Sequence, residues 1–348
     1  MRALRLHRVG GPVTVDELPD SVAALGEVVV RVEVAGICGS DFHIVSGQIP
    51  LPSFPRVLGH ELAGTVISTG PVSPGERRAE AHDIGTQVVA NFLQTCGQCG
   101  FCVAGRTSLC IAREGIGLVR DGELAELIAV PTRNLIAVPS GVELRHAALA
   151  TDAYATPYHA IFARARVTRG AGCVVIGAGG LGLAAVQLLV VAGATTIVAI
   201  DVSRAALDAA LACGATHVFL AEAVAGRSDL AGLDHVQLQH AFDFVGSPGT
   251  VQLGTDLVDR GGSVTVVGHS DDPWRTSPGS VMVREEKSVV GSYAFDSTEI
   301  AAVLALMQSG AVDAAAIIGA ELSLQDAATL LSGGHADHGF GRTVVVPR

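Results

Sequence analysis

Four of the seven cysteines fall within fifteen residues: Cys96, Cys99 and Cys102 at intervals of three, and Cys110 eight further on. Four thiolates at that spacing can surround one tetrahedral zinc and leave no position open, which makes a closed, structural site that ties down a loop. A second set of donors is dispersed. Cys38 stands in Gly36-Ile37-Cys38-Gly39-Ser40-Asp41-Phe42-His43, His60 and Glu61 in Gly59-His60-Glu61-Leu62-Ala63-Gly64, and Asp152 in Thr151-Asp152-Ala153-Tyr154. Taken separately each is ambiguous, because a lone Cys or His is more often a core residue than a ligand. Together they supply thiolate, imidazole and carboxylate, a mixed set suited to a zinc that keeps one position open for a reacting molecule.

A third pattern concerns phosphate. Gly177-Ala178-Gly179-Gly180-Leu181-Gly182 matches G-x-G-x-x-G, follows the apolar run Cys173–Ile176 and opens a segment of helical composition, Leu181–Ala192. In that context the first glycine makes the tight turn, the second lets the backbone approach a pyrophosphate, and the third lets helix and strand pack closely. Asp201 ends the next apolar run, 19 positions after Gly182. A carboxylate there accepts hydrogen bonds from ribose hydroxyls and repels a 2′-phosphate, favouring NAD over NADP. Arg204, three positions on, is the one nearby group that accommodates a phosphate, and Asp201 also reads as a helix cap.

Elements of two kinds must hold these residues. To about residue 155 the chain reads as β-rich: Val28, Val30, Val32 and Val34 alternate with Val29, Arg31 and Glu33, and glycine and proline punctuate short segments. The stretch from Gly70 to Ile84, with Glu76-Arg77-Arg78-Ala79-Glu80, reads as an exposed loop. From Thr168 to Val290 strands and helices alternate: strands at Cys173–Ile176, Thr196–Ile200, His217–Leu220, Ala241–Val245 and Ser263–Val267, helices at Leu181–Ala192 and Ser203–Cys213. That rhythm predicts a parallel, doubly wound sheet. Helices near Ser297–Gln308 and Gln325–Leu331 and a strand at Thr343–Val346 follow.

Composition narrows the class. At 348 residues, with 49% apolar and 16% charged residues, the chain suggests two domains and excludes disorder. A net charge of −11 without a long basic run excludes a nucleic-acid partner. The uncharged stretch Cys173–Ile200 is long enough to cross a bilayer, but its glycines break it into strand, turn and helix. The start, Met1-Arg2-Ala3-Leu4-Arg5, lacks the apolar core of a secretory signal. No membrane association and a cytoplasmic location are the expectations, and an odd cysteine count there argues for metal or thiol chemistry rather than a disulfide framework.

The Cys38 motif, the Gly59-His60-Glu61 motif, the four-cysteine lobe and the glycine-rich fingerprint, in that order, resemble the zinc-dependent alcohol dehydrogenases of the medium-chain dehydrogenase/reductase superfamily along essentially the whole chain. The resemblance implies an α/β protein in which a GroES-like β-rich catalytic domain (1–155 and 291–348) encloses a Rossmann NAD-binding domain (156–290). It implies two zinc ions per chain: a catalytic one on Cys38, His60 and Asp152, which Glu61 joins or leaves, and a structural one on Cys96, Cys99, Cys102 and Cys110. NAD would lie on Gly177, Gly179, Gly180, Leu181 and Gly182, with Asp201 and Arg204 at the ribose. Asp152 replaces the Cys or Glu of other branches and resembles the bacterial secondary-alcohol dehydrogenases. Pro157 and Gly85-Thr86-Gln87 depart from the usual pattern.

The reaction so implied moves a hydride between an alcohol, a secondary alcohol or diol by preference, and NAD, giving a ketone or aldehyde. The metal acidifies the hydroxyl and the cofactor carries the hydride. The resemblance places Ser40 and His43 on the proton path to water, Phe92 on the substrate pocket, and the chain in a homodimer or homotetramer with apolar edges at Val281–Val283 and Val289–Val290. Phe42, Ile44, Leu51, Tyr154 and Tyr293 read mainly as packing residues, as do Cys173 and Cys213. Competing readings are a zinc-free reductase, a specialised biosynthetic dehydrogenase or lyase-type member using the same cofactor, a non-catalytic NAD-binding protein and a nucleic-acid-binding zinc protein. The full ligand set argues against the first and third, and the charge against the last.

Overall fold

The structure is a computed structural model that describes residues 1–71, 83–333 and 340–347. Most of the charged loop expected between Gly70 and Ile84 lies outside the described residues. The chain divides into two compact units, one of Met1–Asp152, Phe295–Ser309 and Ile318–Arg348, the other of Ala153–Ala294 and Gly310–Ile317.

The first unit is organised by one long strand, Glu27–Ile37, in which Arg31 and Glu33 stay half-exposed while the valines around them are buried. Its residues 28–35 pair antiparallel with Leu62–Thr69. The opposite edge is shared: residues 27–31 pair with Leu127–Pro131, and residues 35–37 pair with Arg342–Val346. Gln87–Ala90 and Leu135–Ala137 continue the sheet beyond Leu62–Thr69, and Ile318–Ser323 continues it beyond Arg342–Val346. The helix Ser297–Gln308 begins in a capping box, with the Asp296 N–H donating to the Glu299 carboxylate at 2.7 Å.

The second unit holds a six-stranded, all-parallel sheet. From one edge to the other its strands are His217–Leu220, Thr196–Asp201, Gly172–Ile176, Leu238–Asp243, Ser263–Val266 and Ser288–Gly291. The order reverses between Gly172–Ile176 and Leu238–Asp243, the switch point at which doubly wound sheets bind ligands. Val198, Val174, Ala241 and Val264 form one row across the sheet and are fully buried. Each valine there contributes about 1.5–3 kcal/mol over an exposed one. Ser203 caps the helix Arg204–Ala212 by accepting from the Ala206 N–H, and Ser247 caps Pro248–Leu257, where proline fills the first turn.

The observed units differ from the expected boundaries at three places: 153–155, 291–294 and Gly310–Ile317 all fall in the second unit. For Gly310–Ile317 the cause is polar: the Asp313 carbonyl accepts from the Tyr154 hydroxyl and the Gln187 side-chain amide, and the Asp313 N–H donates back to Gln187 Oε1. No helix among the described residues is long and apolar enough to cross a membrane.

Candidate active site

Three backbone arrangements bring the dispersed donors of the first unit together. Cys38 follows the long strand and precedes the helix Gly39–Ser46, and its N–H donates to Asp41 Oδ2 at 2.9 Å, which fixes the first turn. His60 and Glu61 precede the neighbouring strand Leu62–Thr69, and the Gly36 N–H donates to the Glu61 carbonyl at 2.7 Å. Asp152 sits in a π-helical turn, Ala150–Tyr154. The preceding helix, Leu144–Leu149, packs on the strands that lead to Cys38 and away from His60. One donor atom from each of Cys38, His60, Glu61 and Asp152 lies within 4.8 Å of the others, and all four residues are buried.

The distances suit a metal. Cys38 Sγ and Asp152 Oδ2 are 3.3 Å apart, against about 3.6 Å for the edge of a tetrahedron with zinc–sulfur and zinc–oxygen bonds of about 2.3 and 2.1 Å. Both Glu61 oxygens lack a hydrogen-bond donor. Burial is the main influence on Glu61 and pushes it well above the usual carboxylate range, with Arg342 offsetting this in part. Burial is the largest influence on the Cys38 thiol and raises it, but Arg342 and His60 together outweigh it and the net shift is downward, toward the thiolate a metal needs. His60 is disfavoured as a cation by burial, yet Asp41, Cys38 and Asp152 together shift it well upward. The donors offer up to three negative charges against one guanidinium, and a divalent cation matches the remainder.

That guanidinium belongs to Arg342, which sequence reasoning missed. Its Nη2 donates to Asp152 Oδ2 at 3.0 Å and forms an ion pair with Glu61 Oε1 at 3.0 Å, while Nη1 donates to the Ile37 carbonyl. The pairing of Thr343 with Ile37 puts it there. A charged residue opening the apolar run Thr343-Val344-Val345-Val346 was the available signal. Gly36 was also missed: a methyl group on it would overlap Glu61 Oε2. Two further buried carboxyls, Asp41 and Glu123, are raised chiefly by burial.

Around this set, Ser40 Oγ lies 3.2 Å from His60 Nε2. His43, one turn further along the same helix, contacts Gln48 Oε1 through Nδ1. Phe92 is buried, its ring 5.3 Å from His60 and 5.6 Å from Phe295. Phe42, Ile44 and Tyr154 are buried, whereas Tyr293 is 44% exposed.

The four-cysteine lobe is also assembled. Its sulfurs are 3.5 Å (Cys96–Cys110), 3.6 Å (Cys99–Cys102) and 4.0 Å (Cys96–Cys102) apart. These bracket the edge of about 3.8 Å for a tetrahedron with zinc–sulfur bonds of about 2.3 Å. Asp296 Oδ1 accepts from Thr107 Oγ1 and the Ser108 N–H at 2.7 and 2.9 Å, tying the lobe to the helix Ser297–Gln308.

In the second unit Gly177 has φ +88°, the left-handed turn that glycine adopts freely. A methyl on Gly179 would meet nothing within 4 Å, whereas one on Gly182 would collide with the Gly177 carbonyl. The loop is therefore open at its middle glycine and close-packed at its last. Gly180 opens the helix Gly180–Ala192 and Leu181 follows it. Asp201 Oδ2 accepts from the Ala178 N–H at 2.7 Å and Oδ1 from the Ser203 N–H at 2.8 Å. Arg204 is exposed at the first helical residue.

Residues 24–140 match the Alcohol dehydrogenase GroES-like domain family, and residues 180–309 match the Zinc-binding dehydrogenase family. The NDMA-dependent alcohol dehydrogenase of Amycolatopsis methanolica is 30% identical over 93% of both chains. This chain belongs to the zinc-dependent medium-chain dehydrogenase/reductase family. The NAD-dependent alcohol dehydrogenase of Sulfurisphaera tokodaii is 26% identical over 100% of both chains. Among solved structures, the alcohol dehydrogenase TADH from Thermus sp. ATN1 superposes with a TM-score of 0.89 at 29% identity, covering 100% of each chain. As a member of this family the dehydrogenase uses zinc and NAD in alcohol/carbonyl oxidoreduction.

Proposed function

We propose that Cys38, His60 and Asp152 hold the catalytic zinc of this dehydrogenase, that Glu61 exchanges between the metal and Arg342, and that a secondary alcohol or vicinal diol is the substrate. The observation that carries this is the buried convergence of thiol, imidazole and carboxylate within 4.8 Å. When bound, the metal supplies Lewis acidity that makes an alcohol hydroxyl easier to deprotonate. The chain's own residues do the rest. Arg342 holds Asp152 by a direct hydrogen bond and keeps Glu61 in reserve. Ser40, a group that both donates and accepts, touches His60 and starts a proton path on which His43 is the next titratable group. Phe92 excludes water beside His60 and forms one wall of the substrate pocket.

The glycine loop from Gly177 to Gly182 receives the NAD pyrophosphate at its open middle, with Gly180 and Leu181 in the first helical turn behind it. Asp201 already anchors that loop through Ala178, and its carboxylate selects the ribose hydroxyls over a 2′-phosphate, with Arg204 flanking. The cysteine lobe carries the structural zinc. The working form is a cytoplasmic homodimer or homotetramer: Ser288–Gly291 is an edge strand presenting half-buried Val289 and Val290, and Val283 is 79% exposed nearby in sequence. The test is NADH formation by zinc-replete protein with NAD against primary, secondary, aromatic and vicinal-diol alcohols. We expect the highest kcat/KM on secondary alcohols or diols. Turnover confined to primary or aromatic alcohols sinks the substrate assignment, and silence on the whole panel sinks the alcohol reading itself.

A further inference from the structure

Glu123 occupies an unusual place for an acid. It is completely buried, and neither carboxyl oxygen has a well-formed hydrogen bond, the Leu62 N–H being a backbone donor beside it. Its backbone cannot move away. The N–H groups of Gly122, Glu123 and Leu124 donate to the carbonyls of Val57, Gly59 and Leu58 at 2.9, 3.1 and 2.9 Å, which locks the segment against the residues leading into His60. A methyl group on Gly122 would strike the Leu58 and Gly59 carbonyls, so the approach depends on glycine. From there its charge would act on His60 and Asp41. Asp41 is also fully buried; its Oδ2 is taken by the Cys38 N–H, and its Oδ1 lies 3.7 Å from His60 Nδ1 without a hydrogen bond. Asp41 Oδ1 thus faces the Nδ1 edge of His60, and the buried carboxyl of Glu123 stems from a backbone bonded to Gly59, the residue before it.

Burying a carboxyl without a well-formed hydrogen bond costs about 1–3 kcal/mol, and an apolar side chain at position 123 would avoid that cost. A metal-binding imidazole has a use for such groups: its distal N–H is fixed by a carboxyl, which sets the tautomer and raises the basicity of the ligating nitrogen. We propose that Glu123 is a positioning residue that, together with Asp41, cradles the Nδ1 edge of His60 and so presents Nε2 to the metal. This rests on the reading that Cys38, His60 and Asp152 hold that metal.

The experiment follows zinc release from the full-length, zinc-loaded protein to a chromogenic chelator. Cys38→Ala identifies the kinetic phase of the Cys38 set, and the cysteine lobe serves as internal control. Glu123→Leu should release zinc from the Cys38 set about 10–100-fold faster, leave the lobe phase unchanged, and give a metal-free protein that melts no lower than the parent. Glu123→Gln, which keeps an acceptor oxygen, should recover most of the difference. Release from Glu123→Leu at the parental rate overturns the proposal. So does a fall in metal-free melting temperature with faster release at both sites, which marks a purely structural residue. A parent holding a single zinc, with no phase lost in Cys38→Ala, overturns the ligand reading instead.

Discussion

The two donor clusters of the first unit solve opposite problems with similar materials. The lobe gathers four identical donors from one short stretch, three of them partly exposed. The Cys38 set gathers unlike donors from positions 38, 60, 61 and 152, buries all of them, and adds Arg342 as a fixed counter-charge. A local closed cage needs only spacing, whereas an open reactive site needs a scaffold that brings distant residues to one point and keeps one ligand mobile. Even the glycines divide this way. A methyl on Gly100 in the lobe would meet nothing within 4 Å, while one on Gly36 would overlap Glu61.

The sharpest test of the contrast removes one ligand from each cluster. Cys38→Ala or Asp152→Ala should lower kcat by about 10³-fold or more, because the lost term is several kcal/mol of charge stabilisation. Elemental analysis should then find the lobe metal still in place. Cys99→Ser should do the reverse, retaining turnover below its melting point but losing about 3 kcal/mol of stability, the value of a cross-link closing a loop of that length. Equal effects on kcat from both clusters would erase the distinction.

A smaller effect is expected from the glycines. Gly36→Ala should destabilise the metal-free protein by about 1–3 kcal/mol through overpacking against Glu61, whereas Gly100→Ala should stay within about 0.5 kcal/mol. Denaturant unfolding of the two variants would measure the difference, and equal midpoints would show that Glu61 yields freely.

The smallest signal is in thiol labelling of the metal-free protein. Hydrogen bonds from the Cys102 and Ile111 amides bring the Cys99 thiol down to about 6, while burial and the neighbouring thiols push Cys102 up to about 11. The thiolate is the reactive form and accumulates above the pKa, so Cys99 labelling should rise through about pH 6 and be lost below it. Cys38, only 7% exposed, should label slowly at any pH. Peptide mapping after a brief alkylation would show the order; Cys38 labelling alongside Cys99 would mean the buried set opens readily.

Legibility followed the same divide. The lobe and the glycine loop are contiguous, and their geometry follows from spacing and from what each glycine must allow. The alternating valines of Glu27–Ile37 and the strand–helix rhythm after Thr168 carry the fold for the same reason: periodicity of 2 or 3.6 is local. Arg342, Asp41, Glu123 and Gly36 were not legible as parts of a site. Each takes its meaning from a neighbour across a sheet or turn, and none belongs to a spacing pattern. Gly310–Ile317 escaped likewise, because the carbonyl and N–H of Asp313 that hold it carry no side-chain signature.

The shared edge of the strand Glu27–Ile37 has a consequence for the order of events during synthesis. Arg342 contacts Ile37 across a sequence separation of 305 and Asp152 across 190. At roughly 5–20 residues per second, the ribosome delivers Asp152 about 10–40 s before Arg342. Through that interval Cys38, Glu61 and Asp152 exist as a group of acids and a thiol without their guanidinium, and the far half of the strand edge stays unpaired. The donor cluster is thus among the last parts of the molecule to be completed, and a chain cut short before residue 342 would carry every donor of the set while lacking the charge that holds them together.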